Sequence, residues 1–153
     1  MEKTKRLIEG TGGPCSFVMT VNAGMIPSDH WTHEPELGGG RIVGEACHFI
    51  DLLRFLAASP VESWEKIEMD SANKDTVTLN LVFEDGSIGS IHYFANGHKS
   101  FPKERLEIFS SGSVLQLDNF RTLRGFGWPG FTKMNLWKQD KGQAACALSL
   151  IHI

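Results

Sequence analysis

Between Gly38 and Leu56 the chain reads Gly-Gly-Gly-Arg-Ile-Val-Gly-Glu-Ala-Cys-His-Phe-Ile-Asp-Leu-Leu-Arg-Phe-Leu, and everything around this stretch has to accommodate it. From Arg41 onward the spacing predicts a helix. No proline interrupts the run until Ala58-Ser59-Pro60, where the residue before proline is pushed out of helical geometry. Ile42, Val43, Ala46, Cys47, Phe49, Ile50, Leu52, Leu53, Phe55 and Leu56 fall on almost every side, so the helix is expected to be buried all round. Against that apolar background Glu45, His48 and Asp51 recur at steps of three, on one broad face. Ionisable groups in such a setting need partners or a purpose, because an unpaired buried charge is strongly unfavourable.

The glycines before the helix permit positive φ angles or a close backbone approach, and the helix start behind them offers free N–H groups to a polar ligand. The segment is nevertheless a poor dinucleotide fingerprint. Trp31 to Leu37 is not strand-like, and the glycine spacing misses G-x-G-x-x-G.

Elsewhere the chain alternates short strands with turns. Ser16–Val21 is β-branched and aromatic, and Asn22-Ala23-Gly24 ends it. A loop rich in Asp29, His30, Trp31, His33 and Glu34 follows, of the kind that carries binding residues. Past Pro60 the pattern predicts strands over 61–69, 75–83, 87–95, 103–110, 113–118 and 120–127. Glu84-Asp85-Gly86, Asn96-Gly97 and Ser110-Ser111-Gly112 turn between them, giving an antiparallel meander. The expected class is α+β, a predominantly antiparallel open sheet packed on the buried helix. Phe83, Phe94, Tyr93, Phe109 and Trp64 argue against two wet sheet faces, although alternation alone does not say which of them face the helix.

Composition narrows the class of function. With 15 basic and 18 acidic residues in 153, the net charge of −3 argues against a nucleic-acid binder driven by bulk charge. Cys15, Cys47 and Cys146 are odd in number and far apart, which fits a reducing cytoplasm better than a disulfide framework. No apolar stretch approaches the ~20 residues of a membrane helix. Metal binding by His30, His33 and His48 is also disfavoured: His-x-x-His in a loop lacks the i, i+4 geometry of H-E-x-x-H, and no Cys-x-x-Cys accompanies it. The one locally basic cluster, His98 to Arg105, is read either as a solvated turn or as a site where Lys103 and Arg105 take the diphosphate of a nucleotide sugar. His92, inside an apolar strand, is read as structural. Trp128, Phe131 and Trp137 are read as loop aromatics pinning the sheet edge.

Three glycines, a short apolar gap and then His48-x-x-Asp51 resemble the catalytic helix of the Gfo/Idh/MocA oxidoreductases. The run from Asn22 to Asp51 is similar to a narrower group in which such a module is fused to a zinc-type alcohol dehydrogenase module and is associated with sugar metabolism. The resemblance implies that His48 handles the proton of a sugar hydroxyl while hydride passes to NAD or NADP. It also implies substrate contacts from Asn22, His30, Trp31 and Arg41, and a homo-oligomer formed through the open sheet face. Asp51 or Glu45 is expected to fix the His48 tautomer, histidine being suited to accept a proton near neutral pH. Many members carry an aspartate four residues before the histidine; here that position is Gly44, with Glu45 one place later. That departure keeps open a non-catalytic dimerisation or sugar-binding module of the same fold.

The ends suggest a fragment. Residues 1–13 read as the tail of a helix leading from an absent Rossmann domain, 14–147 as the substrate and dimerisation domain, and 148–153 as a sequence resembling a transposon-end adapter. On this reading NAD(P) is bound mainly by the absent domain, and the fragment alone is inactive.

Overall fold

A computed structural model describes residues 1–27, 30, 40–71, 73–136 and 139. Helix α1 (Glu2–Glu9) precedes strand β1 (Ser16–Asn22). A π-helical turn, Ile42–Ala46, runs directly into helix α2 (Cys47–Ala57), which Ala58 closes in the left-handed conformation at φ 55°. Seven strands follow: β2 (Val61–Glu68), β3 (Val77–Phe83), β4 (Ile88–Phe94), β5 (Glu104–Ser110), β6 (Ser113–Asp118), β7 (Thr122–Phe126) and β8 (Lys133–Asn135). The α+β architecture and the strands expected from alternation are present. The three-residue β8 has no alternation to announce it, and the Trp128–Phe131 loop leads into it.

The eight strands form one sheet in the order β2-β3-β4-β1-β5-β6-β7-β8. This corrects the meander. β1 inserts between β4 and β5, parallel to the first (Phe17 opposite Gly89) and antiparallel to the second (Phe17 opposite Ile108). Residues 95–103 are therefore a connection passing over the end of β1, and no hairpin forms at Asn96-Gly97. Asn22 holds the crossing: its backbone N–H donates to the Lys103 carbonyl at 2.7 Å, and its Nδ2 donates to the carbonyls of His98 (2.9 Å) and Phe101 (3.2 Å). A Cβ at Gly97 would overlap the Asn22 amide, so the absence of a side chain at Gly97 lets the chain cross there.

One face of the sheet is the core. Phe17, Met19, Phe83, Ile91, Tyr93, Leu106 and Ile108 are fully buried there with Leu53 and Leu56 of α2. Each large apolar side chain sheltered in this way contributes roughly 1.5–3 kcal/mol. Gly89 makes room for the helix, since a Cβ at that position would lie 2.9 Å from Leu53 Cδ1. α1 packs against the end of α2, where Lys5 Nζ donates to the Leu56 carbonyl at 3.2 Å.

The expectation of an all-round buried helix is corrected as well. Ala46, Leu53 and Leu56 are buried, but Val43, Cys47, His48, Asp51, Arg54 and Phe55 are exposed. The reason is the layer count: the sheet covers one side of α2, and among the described residues no layer covers its outer side.

The aromatics divide between the faces. Phe83 and Tyr93 belong to the core, whereas Phe94 and Phe109 lie on the open face. Trp64, opposite Leu81, is on the helix side of edge strand β2 and is 70% exposed. Across the open face the register aligns Val82, Ile88, Ser16, Phe109, Val114 and Phe126 into one row that is apolar except for Ser16. On the same face His92 Nδ1 lies 3.0 Å from Thr78 Oγ1, so this histidine is hydrogen-bonded and structural.

Candidate active site at the foot of helix α2

The π-helical turn sets the start of α2 beside the end of β1, and Arg41 joins them. Its side chain is 4% exposed. Nη1 donates to the Gly24 carbonyl at 2.9 Å and Nη2 to that of Ala23 at 3.0 Å. Nε lies 3.4 Å from Glu45 Oε1, Nη1 lies 3.8 Å from Asp75 Oδ2, and the guanidinium sits 5.6 Å from the centre of the Tyr93 ring. A planar fork with several donors suits this work, as an ammonium does not. Arg41, expected to touch substrate, is instead consumed in tying the strand-end loop, the helix start and the approach to β3 together.

Tyr93 supplies the other half of the arrangement. Its hydroxyl donates to Glu45 Oε2 at 2.6 Å, from a ring with no solvent exposure. Burial first, and the bond to Glu45 second, push its ionisation well above the usual tyrosine value, with the Arg41 charge opposing. Sequence reading missed Tyr93. Its signal was a hydroxyl on an inward position of a buried strand, where such a group requires a partner.

The sign of the resulting pH dependence follows. In the unfolded chain tyrosine loses its proton near pH ~10, while the folded state retains it. The tyrosine's contribution is fully present below that pH and is lost as pH rises, because the unfolded state then binds fewer protons. Above pH ~10 stability should fall by up to about 1.4 kcal/mol per pH unit. Tyr93 is the sole tyrosine of the chain, so alkaline titration of tyrosinate absorbance reports on it alone. The expected trace has no ordinary tyrosine step before unfolding, and an ordinary step in the folded protein contradicts the buried bond.

His48 stands on the first turn of α2 and is exposed. Among the described residues nothing lies within hydrogen-bond distance of its ring. The expected tautomer-fixing partners are turned elsewhere. Glu45 faces Arg41 and Tyr93, and exposed Asp51 pairs with Arg54 at 3.6 Å, the near neighbour that a helical step of three provides. Among the described residues His48 is thus without a partner, exposed on a helix whose foot is fixed through Arg41.

The remaining expected site residues separate. Asn22 is committed to the 95–103 crossing. Lys103 Nζ lies 4.0 Å from buried Glu104 Oε1. Arg105 is on the open face, on the opposite side of the sheet from α2, where its Nε bonds Asp118 at 2.8 Å; Arg124 bonds the same carboxylate at 3.1 Å. Within one chain Arg105 and His48 cannot line one pocket. His30 is half-buried, while Trp31 and His33 lie outside the described residues. Among the described residues no three His, Cys, Asp or Glu side chains are grouped to hold a metal, and no helix is long and apolar enough to cross a membrane.

Comparison with known proteins gives a consistent picture. A family model described as GFO/IDH/MocA C-terminal domain matches residues 1–115. No curated protein sequence matches. Among solved structures, an NAD binding oxidoreductase from Klebsiella pneumoniae superposes with a TM-score of 0.73 at 19% identity, over 88% of this chain and 43% of that one. An aldose-aldose oxidoreductase from Caulobacter crescentus, complexed with glycerol, gives 0.69 at 16% identity over 97% and 50%. A UDP-N-acetylglucosamine 3-dehydrogenase from Acidithiobacillus ferrooxidans gives 0.64 at 16% identity over 94% and 48%. The chain thus spans half or less of the length of these structures, and at such identities the likeness is one of fold.

Proposed function

Since the chain belongs to the Gfo/Idh/MocA family through its C-terminal domain, we propose that it is the substrate-binding and catalytic-histidine part of an NAD(P)-dependent dehydrogenase acting on a hydroxyl of a sugar or nucleotide sugar. The observation that supports this reading is His48, exposed on the first turn of α2 with no hydrogen-bond partner among the described residues. Among the described residues there is no strand, glycine turn and helix with G-x-G-x-x-G spacing, so the dinucleotide's own binding residues are assigned outside them. The nicotinamide, when bound, accepts hydride from the carbinol carbon. The chain's task is the proton: the unprotonated ring nitrogen of His48 accepts it from the hydroxyl as the carbonyl forms. The fixed helix foot holds that nitrogen in place while substrate comes and goes.

The test is turnover. The intact oxidoreductase, given NAD or NADP and a panel of aldoses and UDP-sugars, should form reduced nicotinamide with at least one of them. Carbohydrate binding without reduced cofactor would favour the non-catalytic sugar-binding or dimerisation module, the reading that Gly44 keeps in view.

We assign the open sheet face to self-association. Ile88, Phe109 and Phe126 are each about half exposed in one row, an apolar surface that a second copy would cover. Phe109→Glu should weaken self-association at least about 30-fold, as expected for a hot spot of ~2 kcal/mol, read by sedimentation. An unchanged association constant removes this face from the interface.

A further inference from the structure

The Glu45 carboxylate is held on two sides and open on the rest. Tyr93 donates to Oε2 at 2.6 Å and Arg41 approaches Oε1 at 3.4 Å, yet 42% of the side chain remains exposed. Both holders are themselves fixed. Tyr93 is fully buried in β4, and Arg41 is anchored by two backbone carbonyls. Arg41 also serves Asp75, so one positive charge is shared between two carboxylates and the cluster remains anionic. Carboxylate oxygens still have unused lone pairs after one bond each. Glu45 lies in the π-helical turn three residues before His48 on the first turn of α2, so both stand at the junction of the two helical segments. π-helical turns inside α-helices recur at functional sites, and this one carries the candidate acceptor itself.

A pre-oriented, partly open carboxylate three residues from the imidazole read as the base is suited to accept a hydrogen bond from a hydroxyl adjacent to the one that reacts. We propose that Glu45 is the specificity-determining acceptor for a second, vicinal hydroxyl of a polyhydroxylated substrate, with Tyr93 and Arg41 as its positioning residues. The proposal rests on the reading of His48 as the base. It moves Glu45 away from tautomer control and gives Tyr93 a role in substrate choice. The charge-assisted bond from that hydroxyl to the Glu45 carboxylate is lost when the substrate lacks the hydroxyl, and the lost bond is the source of discrimination.

The experiment compares a glucopyranoside with its monodeoxy counterparts as substrates of the intact oxidoreductase. The wild type should disfavour one monodeoxy compound by about 10- to 100-fold in kcat/KM. Glu45→Gln should lower kcat/KM for the parent sugar while leaving that of this deoxy compound unchanged, so that the discrimination collapses. Tyr93→Phe, which keeps the carboxylate but frees it, should produce the same pattern in weaker form, through KM more than kcat. Equal losses for parent and deoxy compounds in both variants would mark the cluster as structural only and overturn the proposal, as would discrimination that survives Glu45→Gln. His48→Ala separates the two levels. Loss of turnover with every sugar sustains the base whatever Glu45 does, whereas turnover that survives this change brings down the reading and the proposal together.

Discussion

His48→Ala in the intact oxidoreductase is expected to lower kcat by about 10²- to 10⁴-fold, the range a positioned general base contributes. The same change should leave folding nearly untouched. His48 is exposed and makes no hydrogen bond to the described residues, and substitutions of that kind generally fall within about 0.5 kcal/mol of neutral. The combination is diagnostic. A catalytic loss without a change in melting temperature or association state separates a reacting group from a structural one. Turnover within a few-fold of wild type would hand the proton to another residue, and a large fall in Tm would show that the imidazole is doing structural work.

Arg41→Met is expected to do the reverse. Arg41 is almost wholly enclosed and binds the Ala23 and Gly24 carbonyls, Glu45 and Asp75 at once. Removing one partner of a buried ionic arrangement leaves the others without compensation, at a cost on the order of 3–5 kcal/mol. For a chain of this size that corresponds to a fall in Tm on the order of 10 °C. Glu45 softens the loss because water reaches part of its side chain, whereas Asp75, 13% exposed, cannot recover in that way. Arg41→Lys should recover only part of the stability, since one ammonium cannot reproduce the paired bonds to two successive carbonyls. Thermal unfolding of the chain checks both; a Tm for Arg41→Met within a degree or two of wild type contradicts the anchoring role.

What sequence reading achieved and missed follows physical lines. β-branched and aromatic content, period-two alternation and turn residues together located seven strands, and Val77, Leu79, Leu81 and Phe83 are buried as alternation requires. The place of β1 was illegible: alternation reports which face a residue occupies and is silent about which distant strand lies beside it, so a parallel pairing such as Ser16 with Ile88 leaves no local mark. The burial of α2 was overread for a related reason. A helix apolar on many sides announces that it wants cover, but the number of layers supplying it is not a property of its own sequence. Asn22 and Arg41 were picked out through the family resemblance, yet the Asn22 amide N–H groups and the Arg41 guanidinium donate to backbone carbonyls of the 95–103 connection and of Ala23 and Gly24, which only the folded chain brings near. Tyr93 was the converse case. It was counted among the aromatics of a strand, and its hydroxyl, meeting Glu45 from 48 residues away, turned out to organise the polar cluster.

The claim that His48 is the base is tested most directly by a crystal structure of the intact oxidoreductase with NAD or NADP and a sugar that it oxidises. The account predicts a His48 ring nitrogen within about 2.6–3.2 Å of the hydroxyl whose carbon faces the nicotinamide. A reacting hydroxyl bonded to a different base, with His48 directed into solvent away from it, would contradict that claim.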